Sequence, residues 1–186
     1  SAYAISVQPQ NEETVFNIID EYFSEYKLDD IKVMLFSILF ADDSMSEATH
    51  EIVFVGNSDS MSKFYSPMNF TTEWNLFSSK ISNFIEKTIW ALNGTGLAST
   101  GPDPSEVVYP YERILNWGPE RDIQKFRKAW VELNTKHERT DRSAVIFTIT
   151  SSAEHKSGVV LRYPTYKAML NSNAEYARNN PSWQKD

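Results

Sequence analysis

Few residues in this 186-residue chain have both the type and the spacing to do chemistry. Three histidines come first. His50 stands in Glu47-x-x-His50-Glu51, but a zinc motif of this kind needs a second histidine one helical turn away, and there is none. His137 falls where a helix is expected to end, a favourable place for a cation, and His155 falls in an expected hairpin loop beside Glu154. None of the three is expected to hold a metal or to take part in catalysis.

The acidic pairs Asp29-Asp30 and Asp42-Asp43 flank an apolar run, and capping of that run explains them better than a divalent-cation site. Gly94-Thr95-Gly96-Leu97 resembles a phosphate-binding loop only in its glycines. Such a loop follows a strand and opens a helix, whereas here a helix is expected before the glycines and Gly101-Pro102-Asp103-Pro104 comes after them. No Gly-x-Ser-x-Gly elbow occurs, and the absence of cysteine removes thiolate, disulfide and iron–sulfur chemistry. No catalytic residue, metal or cofactor is expected on this reading.

Basic residues interleaved with aromatics give the one positive signal. Between Arg113 and Arg142 there are eight Lys/Arg against five Asp/Glu, with Tyr109, Tyr111 and Trp117 close by. Cations that neutralise phosphates and rings that stack on bases suit single-stranded nucleic acid. The candidate contacts are Arg121, Lys125, Arg127, Lys128, Arg139 and Arg142. The competing account is an ordinary helix with a solvated cationic face.

The elements that must position these residues follow from periodicity and caps. Asn11, Glu12 and Glu13 open a helix over residues 12–25, with Val15, Ile19, Tyr22 and Tyr26 at helical spacing. Residues 31–40 form a nearly unbroken apolar run that reads slightly better as helix than as strand. A second helix is expected over 72–92, capped by Thr71 or Thr72, and a third over 119–135 with Pro119 at its first position. Strands are expected at 51–55, 144–149 and 159–163, the last two as a hairpin. Residues 94–105 read as a hinge loop, and residues 1–10 and 171–186 as polar arms. The expected fold class is α+β: a mostly helical single domain with a small antiparallel sheet. No internal repeat is visible.

Charge is divided between the halves. Residues 1–93 carry five Lys/Arg against fourteen Asp/Glu, a balance of −9, and residues 94–186 carry thirteen against eleven, a balance of +2. That asymmetry, the polar arms and the lack of a catalytic signature point to a non-enzymatic self-assembling or interaction protein. A coat or nucleocapsid-type subunit is the concrete form, its partners being copies of itself or another protein, with single-stranded RNA as a further contact. A net charge of −7 argues against duplex DNA. The longest apolar run, ten residues interrupted by Lys32 and Ser37, is too short for a membrane span. The cysteine-free composition places the chain in the cytoplasm, or in a virion for a viral subunit. Two alternatives stand beside this reading. One is an acidic protein-binding module of the immunity or effector type. The other is a small α+β enzyme or ligand carrier with an aromatic-lined pocket. No family is recognised from the residues.

Overall fold

Residues 2–7, Ala-Tyr-Ala-Ile-Ser-Val, alternate small with large side chains and form a strand rather than an arm. In the computed structural model these residues form β1 (Ala2–Val7), hydrogen-bonded on both sides. The structure describes residues 1–26, 28, 30–39, 47–66, 71–102, 109–117, 123–137, 139–151 and 157–179. Arg121, Pro119, His155, Asp29 and the Asp42-Asp43 pair lie outside the described residues. The chain divides into two compact units, Ser1–Asn93 and Gly94–Asp186.

In the first unit β1 is followed by α1 (Glu12–Glu25), β2 (Ile31–Ser37), β3 (His50–Gly56), α2 (Ser58–Phe64), α3 (Thr72–Ser82) and β4 (Ile85–Leu92). The sheet order is β2-β3-β1-β4, every neighbour antiparallel. With a side-chain period of two, the pairing Ile5↔His50 and Tyr3↔Ile52 puts Tyr3, Ile5, Val7, His50, Ile52 and Phe54 on one face. Onto that face α1 brings Val15, Ile18 and Ile19, and α3 brings Ile81. Burial of each such aliphatic side chain stabilises the fold by roughly 1.5–3 kcal/mol. Rings extend the core between the helices, Tyr22 stacking on Phe77 with centroids 4.3 Å apart.

The second unit contains β5 (Gly94–Thr100), β6 (Tyr111–Trp117), α4 (Ile123–Lys136), β7 (Ser143–Ile149), β8 (Ser157–Tyr163) and α5 (Tyr166–Asn179), with sheet order β5-β7-β8-β6. Ala144, Ile146, Val159, Leu161, Tyr163 and Met169 form its core, with Phe126 and Trp130 of α4 packed against them. On the opposite face Glu112 and Arg162, cross-strand partners, form an ion pair of 2.6 Å with both side chains nearly buried. Burial pushes the Glu112 carboxyl up, and the Arg162 guanidinium draws it back down.

Topology reveals a repeat that the residues conceal. The run β6–α4–β7–β8–α5 has the same order as β1–α1–β2–β3–α3, and β6-β8-β7 lie in the spatial order of β1-β3-β2. The fourth strands differ, because β4 lies beside β1 whereas β5 lies beside β7.

Two four-stranded sheets overturn the expectation of a mostly helical domain with a small sheet. Strands β1 and β6 have no counterpart among the expected strands, and three further segments differ from the expected helix or loop. Residues 31–37 are a strand, as an apolar run of this length also allows. Helix α3 ends at Ser82, and residues 85–92 form β4, where Ile85 and Ile89 fit a period of two as well as of four. Gly94–Thr100, expected as loop, pairs with β7 as β5, and the expected C-terminal arm supplies α5 up to Asn179. Among the described residues no helix is long and apolar enough to cross a membrane.

Candidate functional site

Helix α1 and strand β2 leave a cleft of about 450 Å³ between them in the first unit. Seven of its nine lining residues are apolar. Phe16, Ile19 and Phe23 come from one side of α1, and Ile31, Val33 and Leu35 from the alternating inward positions of β2, with Leu28 between. Asp20 and Ser24 also line it. The arrangement follows from sequence period: α1 turns Val15, Ile18 and Ile19 into the core, which leaves Phe16, 53% exposed, at the mouth.

A second, more polar cleft of about 270 Å³ adjoins the first through Phe16 and Leu35, which line both. Its other walls are Glu12, Glu13, Ser37 and His50. His50 opens β3, and its pairing with Ser37 of β2 and Ile5 of β1 fixes it on the helix-bearing face at the level of the α1 N-terminus. It is 6% exposed. Burial holds its imidazole below the ordinary histidine range, against an opposing pull from the Glu12 carboxylate. The ring is therefore neutral at neutral pH.

Thr49 orients it. The Val7 amide donates to Thr49 Oγ1 at 2.9 Å, and Thr49 Oγ1 lies 2.9 Å from His50 Nδ1. The carbonyls of Ile5 and Val7 are both more distant from that hydroxyl, at 3.4 Å. Either atom of the Thr49 Oγ1–Nδ1 contact can donate, and in the tautomer where Nδ1–H donates to Oγ1 the lone pair lies on Nε2, the nitrogen that can take up a proton. Nδ1 makes the only side-chain hydrogen bond of the ring among the described residues. A neutral imidazole at the polar end of an apolar cleft can exchange a proton with a ligand, and the nearby carboxylates favour the imidazolium that results. Among the described residues no group of three or more His, Asp or Glu could hold a metal ion.

Of the six basic residues expected to contact nucleic acid, the five that are described divide between helix α4 and a buried cluster before β7. Arg121 lies outside the described residues. Lys125, Arg127 and Lys128 lie along α4, Lys128 reaching Glu132 at 3.9 Å. Arg139 and Arg142 are buried, 2% and 8% exposed, and so are withdrawn from any phosphate backbone. Arg139 donates from Nε and Nη2 to the two carboxylate oxygens of Asp141, each at 2.7 Å, and from Nη2 to Ser172 Oγ at 2.6 Å. It ties the turn before β7 to α5. His50, by contrast, was set aside in the sequence for want of a second histidine. The signal that could have found it is alternation in His-Glu-Ile-Val-Phe-Val, which puts His50 on the face of Ile52 and Phe54.

The strand–helix–strand–strand–helix–strand order and antiparallel β2-β3-β1-β4 sheet make the first unit a ferredoxin-like α+β module. A solved structure of similar fold is that of a proposed monooxygenase from Lactobacillus acidophilus NCFM. The two share 10% identity at a TM-score of 0.61, over 99% of this chain and 82% of the other. No family model matches the sequence, and no curated protein matches it. At that identity the likeness is one of fold. It nevertheless overturns the expectation of a coat or nucleocapsid subunit that self-assembles on RNA, along with the virion assignment. The presumed N-terminal arm contains β1, residues 171–179 of the presumed C-terminal arm belong to α5, and the fold is shared with a protein described as a proposed monooxygenase. The alternative of a small α+β enzyme or ligand carrier with an aromatic-lined pocket accords better with these findings.

Proposed function

We propose that the first unit binds an apolar small molecule in the cleft between α1 and β2, and that His50 exchanges a proton with the polar end of that molecule. One observation carries the reading: a buried histidine stands where an apolar cleft turns polar. Such a combination, with a few polar groups converging at one end of an apolar cavity, is the usual form of a small-molecule site. The similar solved structure is described as a monooxygenase, and this cleft is where chemistry on an apolar substrate would take place. The reading proposed here extends only to binding and proton exchange. The lack of cysteine supports a reducing, cytoplasmic setting.

The test is a titration of the intact chain with a neutral apolar probe such as hexan-1-ol, followed by ligand-observed NMR. Binding is expected in the native protein and its loss in Leu35→Trp, where the larger side chain fills the region shared by both clefts. Undiminished binding in that variant would place the ligand elsewhere.

A further inference from the structure

Every charged side chain among the described residues that line the two clefts is acidic: Glu12 and Glu13 at the His50 end, Asp20 along the apolar part. The first unit as a whole has the same sign, with a balance of −9 over residues 1–93. We propose that the cleft selects ligands with a cationic amine head on an apolar body, the head lying at the Glu12–Glu13–His50 end. This deepens the reading given above and rests on it.

Three physical arguments support a cation. Glu12 and Glu13 occupy the first turn of α1, where carboxylates are favourable beside the helix dipole. The dipole supplies only about half a positive charge there, so two carboxylates leave that end net negative. A ligand carboxylate or phosphate would meet repulsion, while an ammonium would meet attraction. His50 adds a second, independent feature: its side chain is more than nine-tenths buried, lines the polar cleft, and has one nitrogen occupied by Thr49. In the tautomer with Nδ1–H donating to Thr49, the neutral imidazole offers an ammonium the Nε2 lone pair as an acceptor, without the repulsion that an imidazolium would bring. Phe16 lines both clefts, and an aromatic ring there suits a cation. The apolar body of the ligand would lie along Ile19, Phe23, Val33 and Leu35.

Because Glu12 and Glu13 are solvent-exposed, their attraction is modest and screened by salt. The experiment compares hexylamine, hexan-1-ol and hexanoate on the intact chain at neutral pH by NMR titration. Hexylamine is expected to bind about three- to fivefold more tightly than hexan-1-ol, with hexanoate the weakest. Raising salt from about 50 mM to about 500 mM should erase most of that preference. In the double variant Glu12→Gln, Glu13→Gln the ratio of amine to alcohol affinity should fall to about one, with alcohol binding reporting that the cleft is still formed. Equal or tighter binding of the alcohol in the native protein would overturn the amine preference while leaving the cleft as a ligand site. Absence of binding by all three would overturn the site itself, and the preference with it.

Discussion

His50 ties fold stability to the chemistry proposed for it. Its folded-state pKa lies below 6.5 because burial disfavours the imidazolium. Between that folded value and 6.5 the unfolded chain binds more protons than the folded one, so stability rises with pH across the window and falls on acidification. Chemical denaturation at pH values from about 7.5 down to about 5 should show the midpoint dropping as the unfolded-state histidine becomes protonated. In His50→Phe that part of the slope should vanish, and an unchanged slope would mean that the ring is not held neutral by burial. Asp141 behaves in the opposite sense. Burial alone would raise its pKa, but the Arg139 fork and Ser172 outweigh burial and hold it below 3.8. Its contribution is therefore present above 3.8 and lost as pH falls through the lower folded value. Asp141→Asn removes the carboxylate from a buried guanidinium, at a cost of about 2–3 kcal/mol, towards the low side for buried pairs because Asp141 is 40% exposed. The denaturation midpoint at neutral pH measures it.

At the level of elements, caps and close approaches decide where strands and helices stop. Thr71 Oγ1 accepts from the Trp74 amide at 3.2 Å and starts α3, as its place before an apolar stripe predicts. Thr71→Ala should cost about 1 kcal/mol, read as a lowered unfolding midpoint. Gly101 follows β5 with φ +81°, and an added Cβ would lie 2.1 Å from the Arg142 carbonyl oxygen. Gly101→Ala should therefore destabilise by well over the ~1 kcal/mol of an ordinary glycine replacement, and a neutral result would mean the turn is free to move. The same features show which elements were legible in the sequence. Helix α1 spans the expected residues 12–25 because dipole and period agree, although Asn11, expected as its N-cap, makes no side-chain capping bond and belongs to a 3-10 turn over Pro9–Asn11. The β7–β8 hairpin and β3 were legible because β-branched residues are bounded by polar turns. Strand β1 was missed because alanine and serine dilute its alternation. Strand β4 was missed because Ile85, Thr88 and Leu92 continue the helical stripe of α3. Strand β5 was hidden by its glycines, which read as breakers unless a partner strand is known.

For the whole molecule, the two units have separate cores, one around Ile5, Val15 and Ile52 and the other around Ile146, Leu161 and Tyr163. All four strands of the first sheet lie within residues 1–93. Residues 1–93 alone are therefore expected to show a cooperative thermal transition, and a featureless melt would show that the unit needs the remainder of the chain. The division coincides with the charge division of the sequence, −9 on one side and +2 on the other. That asymmetry was legible from the start, but its meaning was not. The negative charge includes the carboxylates around a histidine-ended cleft, and the β2–β3 register together with the packing of α1 brings Ser37, His50 and Glu12 from three separate stretches of chain to one place. A site dispersed in this way leaves no motif. The most direct test of the account is amide chemical-shift mapping of the isotope-labelled protein with hexan-1-ol. The account predicts perturbations concentrated at Phe16, Ile19, Phe23, Leu35 and His50, whereas perturbations confined to other elements, or none at saturating ligand, would contradict it.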